Sequence, residues 1–376
     1  MSNLSVNTIT DASGGSTASI NGLTPQASNM AATFNRIING AMTIDQRNAG
    51  ATLSLATIAT ALYAVDRFQA YQDKTGVTGT VGQSTDAPAG FKNSFGVTIT
   101  TGATSGADDQ SFIQHVIEGS NIADLGFGTA NAQPITLSFW VKSSITGTNG
   151  FGITNSTVGR CYVGSYTVNS ANTWEQKTVT IAGDTSGTWL TTNGIGIRIR
   201  FNIGSGSNRL GAAGSWGAFY NGPTGSFSTT ATSGATFYIT GVQLEVGSSG
   251  SSFAHENVGD TLQKCQRYFQ RIQPDNAYQM LASGFSTSTT NAALFLFYTD
   301  KRTVPSVDFT AGSTFAINKG ADVAQGVTAI ATNAGRIGTT SANVHAASSS
   351  LTTGQGCILM ASNVAANCFI DISAEL

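Results

Sequence analysis

Six side chains have the types and spacing to do chemistry: Trp140 and Lys142 in ITLSFWVKSS, Arg198 and Arg200 in GIGIRIRFNI, and Trp216 and Tyr220 in RLGAAGSWGAFYNGPTGSF. In the first two stretches the apolar residues alternate, as Ile135, Leu137, Phe139 and Val141, and as Ile195, Ile197, Ile199, Phe201 and Ile203. That period belongs to a strand with one buried face. Thr136, Ser138, Trp140 and Lys142 therefore share one polar face, and Gly196, Arg198, Arg200 and Asn202 another. Sugar recognition uses a flat aromatic ring against the C–H face of a pyranose, and planar donors for hydroxyls, carboxylates or phosphates. If the two strands share a sheet, they offer a groove for an acidic sugar. The alternative is a Trp140 covered by a loop or a subunit interface, with the arginines paired to Asp66 or Glu175. In the glycine-rich loop, Trp216, Phe219 and Tyr220 read as a sugar platform, a contact with a neighbouring chain, or internal packing. Trp174 and Trp189 flank a strand start or a turn and read as structural.

No catalytic constellation accompanies these residues. Hydrolysis of a glycosidic bond needs two carboxylates held across it, and the one local pair, Asp108 and Asp109, sits in a glycine-rich turn. There is no GxSxG elbow or HExxH helix. The cysteines at 161, 265, 357 and 368 form no CxxC pair and the histidines at 115, 255 and 345 are scattered, so no metal site or cofactor is expected. Asp184 in AGDTSGTW reads as a turn residue accepting backbone N–H bonds. Asp66 and Arg67, adjacent on a strand, would point to opposite faces and pair elsewhere. A two-residue hairpin loop at Ser362 and Asn363 would set Cys357 opposite Cys368; cytoplasmic assembly favours free thiols, and the bridge stays open.

The elements that must position these residues are short strands. With 44 glycines and 40% apolar residues among abundant Ser and Thr, the composition describes strands joined by tight turns. Only 10% of residues are charged and the net charge is −2, which gives no drive toward nucleic acid or an anionic membrane. No stretch reads as a secretory signal or a membrane-spanning helix. In Thr236 to Val246 the buried phase changes from Phe237 and Ile239 to Val242, Leu244 and Val246, which places a bulge near Gly241. After it, Asp260 caps a helix in which Leu262, Cys265, Phe269 and Ile272 recur at helical spacing. The reading is all-β with four parts: an extended segment at 1 to 34, a β-sandwich at 35 to 256, a linking helix at 257 to 272, and a second β-sandwich at 273 to 376.

Several blocks carry a resemblance. NRIINGAMTIDQRNAG at 35 to 50, ITLSFWVKSS at 135 to 144, YTVNSANTWEQKTVTIAGDTSGTW at 166 to 189, and ITGVQLEVGSSGSSFAHENVGDTLQKCQRYF at 239 to 269 resemble bacteriophage tail-fibre and appendage proteins. In that family such blocks form a jelly roll similar to carbohydrate-binding modules. The resemblance implies a non-enzymatic homotrimer that assembles in the host cytoplasm and works on the virion. It further implies that segment 1 to 34 docks on other virion proteins, that the jelly roll or the C-terminal tip binds a host surface glycan, and that a structural calcium is open although no DxDxD loop is present. The alternatives are a purely structural particle protein, such as a head fibre, decoration subunit or baseplate adaptor, and a polysaccharide depolymerase.

Overall fold

A computed structural model describes residues 35–56, 58–217, 220–320, 324–362 and 367–376. The proposed attachment segment, 1 to 34, lies outside the described residues, as does Phe219. The chain is all-β, as its composition implies. The alternating stretches become strands, and two antiparallel sheets stack as a jelly-roll sandwich. One sheet has six strands, in the order Leu53–Ser54, Thr78–Ser84, Ser94–Thr101, Thr236–Val246, Ile135–Ser143, Glu175–Ile181. The other has seven: Trp216–Gly217, Cys161–Val168, Gly147–Thr154, Ile195–Asn202, Ser111–Glu118, Phe68–Gln72, Ile58–Val65. Their inward residues make one core, in which Phe139 of the first sheet meets Phe201 of the second edge-on, with ring centroids 5.0 Å apart.

The phase change in Thr236–Val246 is a bulge. Thr240 pairs with Trp140, and the next pair is Gln243 with Ser138, so three steps on one strand match two on the other. Gly241 takes the left-handed conformation at φ 59°. The irregularity frees the Val242 N–H, which donates to the Gly40 carbonyl at 3.0 Å and so draws in the block at 35 to 50. Phe237, Ile239, Val242 and Leu244 are all buried, on the two sides of the flip.

Four expectations change elsewhere in the chain. The helix covers only Val258–Gln266, and Phe269–Ile272 is a strand paired with Ile370–Ser373. Asp260 lies in the first helical turn, while Asn257 occupies the cap position without a side-chain cap bond. Phe269 and Ile272 satisfy helical spacing by coincidence, because a four-residue strand is too short for its period to be told from a helical one. Asp66 and Arg67 form a hairpin turn, with Arg67 at φ 70°, rather than a strand. The two cysteines do not face each other either. Cys357 lies on Gly356–Ala361, while Cys368 precedes Ile370–Ser373, a strand of a different sheet. All four cysteines are free and buried.

The C-terminal strands close further than two facing sheets require. Met280–Ser286, Asn291–Phe297, Ser341–Ser348, Ala324–Ile337, Phe315–Asn318 and Gly356–Ala361 ring into a barrel, which leaves no free edge among these six. A three-stranded sheet at its base, Phe269–Ile272, Ile370–Ser373 and Ser306–Phe309, shares its core. The base is tied to the jelly roll by buried ionic contacts. Glu118 accepts bonds from Arg267 Nη2 and Tyr268 Oη, both at 2.8 Å, and Arg67 pairs with Glu375.

Candidate glycan-binding faces

Trp140 and Lys142 do not share a sheet with Arg198 and Arg200. The first pair lies on Ile135–Ser143 of the six-stranded sheet and the second on Ile195–Asn202 of the seven-stranded sheet. Since both sheets turn their apolar faces to one core, the two polar faces look in opposite directions, and a single groove built from all four residues does not form.

On the six-stranded sheet, pairing brings Thr240 and Gln176 to either side of Trp140, and sets Tyr238 beside Lys142. Asp86, from the loop after Thr78–Ser84, reaches over this face. It accepts a bond from Lys142 Nζ at 2.7 Å and another from Trp174 Nε1 at 3.0 Å. Trp174 and Tyr238 lie 6.4 Å apart at 55°, and Lys142 Nζ sits 5.8 Å from the Tyr238 ring. Burial pushes the Asp86 carboxyl up, but the bonds from Lys142 and Trp174 outweigh it and hold the group below the usual carboxylate range. Asp86 therefore stays an anionic acceptor with both oxygens fixed. Trp140, Lys142, Trp174 and Tyr238 are all half-buried, so ring faces and charge remain within reach of a solute. Phe91 extends the patch: a Cβ on Gly241 would stand 2.7 Å from the Phe91 ring and 3.0 Å from the Trp140 indole. The bulge glycine thus lets the two aromatic side chains close over the strand.

On the seven-stranded sheet a ladder of polar groups crosses three strands. Arg200 Nε donates to Gln114 Oε1 at 2.7 Å, and Gln114 Nε2 donates to Gln69 Oε1 at 2.7 Å. The Arg200 guanidinium also lies 4.4 Å over Phe112, which stacks on Tyr71 at 5.0 Å and 15°. Burial and the neighbouring Arg198 bring the Arg200 pKa down to about 10, so it remains a cation at neutral pH. Arg198 donates to the carbonyls of Asn155 at 3.1 Å and Ser156 at 2.5 Å. Neither arginine has Asp66 or Glu175 as a partner among its described bonds: Asp66 accepts from Gln46, and Glu175 from Lys177 and Asn169. Here the arginines brace loops and neighbouring strands.

The glycine-rich loop folds back. Trp216 packs within 5.6 Å of Phe127, Tyr162 and Trp189, and its Nε1 donates to the Ala182 carbonyl at 2.7 Å. Trp189 shares this cluster and donates to Asp184, which also holds Arg160 through bonds of 2.6 and 2.8 Å and accepts from Ser186 N–H at 3.2 Å. Both tryptophans are structural, and Asp184 is the turn residue the sequence implies. Tyr220 lies over Gly211, whose missing side chain makes room for its ring, and its carbonyl accepts from Cys161 Sγ at 3.1 Å. Two members of the six-stranded face, Asp86 and Tyr238, escape the sequence reading, and a third, Trp174, which reads there as structural, is half-buried on this face and bonded to Asp86. Tyr238 stands at the alternating position opposite Phe237 and was recoverable from period alone, whereas Asp86 reaches Lys142 across 56 residues of sequence. Among the described residues no group of three or more His, Cys, Asp or Glu gathers in a metal-binding cluster, and no helix is long and apolar enough to cross a membrane.

No family model and no curated protein matches the chain. Solved structures similar to it include a candidate sugar-binding protein from Bacteroides thetaiotaomicron, at 12% identity and a TM-score of 0.32, covering 57% of this chain and all of that one. A family 4 carbohydrate-binding module is similar at 14% identity and a TM-score of 0.28, over 56% of this chain and 99% of the module. The enzymatically active domain of tailspike protein 4 of bacteriophage CBA120 is similar at 12% and 0.28, over 57% of this chain but about a fifth (21%) of that one. Likeness at these scores carries no part of the functional argument, which rests on the side chains above.

Proposed function

We propose that this protein is a bacteriophage tail-fibre or appendage subunit that adsorbs to the host surface by binding polysaccharide on the outer face of its six-stranded sheet. The observation behind this reading is the Asp86 node: a fixed carboxylate bonded to Lys142 and Trp174, with Tyr238 beside Lys142 and Trp140 two residues from Lys142 on the same strand. Rings supply stacking surface for the C–H faces of sugars, while the carboxylate and ammonium supply an acceptor and a donor for hydroxyls. The resemblance of the blocks at 35 to 50, 135 to 144, 166 to 189 and 239 to 269 to phage appendage proteins supports the setting. In this setting the working unit is a trimer on the virion, assembled in the host cytoplasm, and segment 1 to 34 joins it to other virion proteins. Weak contacts, on the order of millimolar at one site, gain strength when three sites engage one polymer.

The test is binding of the purified full-length chain to a panel of bacterial surface polysaccharides, repeated with Trp140→Ala. Saturable binding that Trp140→Ala abolishes supports the reading. Absence of binding by a folded protein, across the panel and to intact cells, shifts the weight to a purely structural particle subunit. Release of oligosaccharides from any polymer would instead place the chain among depolymerases.

A further inference from the structure

The barrel carries a second site-like feature, far in sequence from the Asp86 node. On its outer surface Phe285, Phe295 and Phe297 are 45%, 48% and 72% exposed. Three phenylalanines on one water-facing surface of a small barrel are unusual company for the alanines between them. Pairing explains their layout. Phe285 stands opposite Ala293, and Ala293 opposite His345 on the next strand, so Phe285 and His345 face each other over an alanine floor two strand spacings wide, roughly 10 Å. One step along, Phe295 stands opposite Asn343, and beyond it Phe297 opposite Ser341. From the far side Arg336 overlooks the groove, on a stretch where five steps, from Thr332 to Ile337, match two on the neighbouring strand, from Val344 to Ala342. The open groove has a volume of about 490 Å³, within the roughly 300–1,000 Å³ of small-ligand sites.

Asn343 points to a ligand. It lines the groove, is 8% exposed, and its Oδ1 is buried without a hydrogen-bond partner. A buried acceptor left unpaired is costly, and a donor from a bound molecule removes that cost. Arg336 is exposed and appears in none of the ion pairs among the described residues. The groove thus offers rings for an apolar face, an acceptor that needs a donor, and a planar cation that needs an anion. We propose that it binds an acidic sugar residue of the uronic acid type. The C–H face of the pyranose lies on Phe295 and Phe297 between the walls set by Phe285 and His345, a hydroxyl donates to Asn343 Oδ1, and the carboxylate pairs with Arg336. The site does not depend on the Asp86 node, and the two can fail separately.

Calorimetric titration of the full-length chain with D-glucuronic acid, D-glucose and inorganic phosphate tests the assignment. Glucuronic acid binds saturably, on the order of millimolar, and glucose at least about tenfold more weakly because it lacks the charge. Arg336→Ala and Phe297→Ala, both at exposed positions, each weaken glucuronic acid about tenfold, and they do so equally in a chain that also carries Trp140→Ala. Absence of saturable glucuronic acid binding overturns the proposal, as does equal affinity for glucose, or binding indifferent to Arg336→Ala. Preference for phosphate over glucuronic acid would reduce the groove to an anion spot and also overturn it. If Phe297→Asp lowers the oligomeric state in sedimentation, the phenylalanines belong to an interface between copies, and the sugar assignment falls.

Discussion

Arg67 and Glu375 form an ion pair between the Asp66–Arg67 hairpin turn of the jelly roll and the tail of the C-terminal unit. Arg67 is fully buried, lies 3.7 Å over the Tyr268 ring, and also donates to the Val116 carbonyl at 2.6 Å. A charge so placed cannot be re-solvated when its partner is removed. Glu375→Gln is therefore expected to destabilise the fold by about 3–5 kcal/mol, and Arg67→Met paired with Glu375→Gln by less than the sum of the two singles. Urea unfolding of the four proteins in a double-mutant cycle measures both quantities.

Replacing Asp86 by Asn keeps the shape of the node and removes its charge. Lys142 and Trp174 then donate to a weaker acceptor, and the ammonium loses its counter-ion. Polysaccharide binding should fall roughly tenfold or more while the melting temperature moves little, because a partly solvated pair at the surface contributes about 1 kcal/mol to stability. A melting temperature that collapses together with binding would mean that Asp86 holds the sheet rather than the ligand.

Gly241→Ala should be among the costly glycine substitutions in the jelly roll. Its φ of 59° is in the left-handed region, and the new methyl would press on Phe91 and Trp140. A loss of about 1–3 kcal/mol is expected in thermal unfolding. Since the two displaced rings belong to the proposed binding face, glycan affinity should fall with it.

The Asp66 carboxyl is raised to about 6 by burial, which the bonds from Gln46 and the nearby Arg47 only partly offset. The folded form thus holds this proton more tightly than the unfolded chain, where the value is about 3.9. Its contribution to stability is complete below pH about 4 and is lost as pH rises through about 6. Asp66→Asn removes the titration. The stability of the variant relative to the parent should therefore rise between pH 4 and 7 and level off above, in denaturation curves taken at intervals of half a pH unit.

Period carried the sequence reading as far as period can. Alternation identified the strands that bear Trp140 and Arg198, and the change of phase at Gly241 located the bulge. What period does not encode is which sheet a strand joins. A groove shared by Trp140 and Arg198 therefore hangs on the two strands lying in one sheet, and the fold puts them in two, with faces that point apart. Asp86 was silent for a related reason, as a loop carboxylate shows nothing of its partner until the chain has folded. Phe269 and Ile272 fit helical spacing, yet both pair with Ile370–Ser373, a strand far along the chain whose pull no local pattern reveals. Closure of the barrel was hidden in the same way, since strand length and alternation are alike in an open sheet and in a ring.

The contacts at the barrel base have a mechanical meaning. Glu118 with Arg267, Arg67 with Glu375, and Arg302 with the carbonyl of Asn193 join the two units at separate points of the chain. A force pulling on the barrel is divided among these points and must break them together instead of peeling them in turn. The short stretch of chain at the helix then carries little of the tension, and a pull or a twist applied to the barrel reaches the jelly roll with its direction preserved.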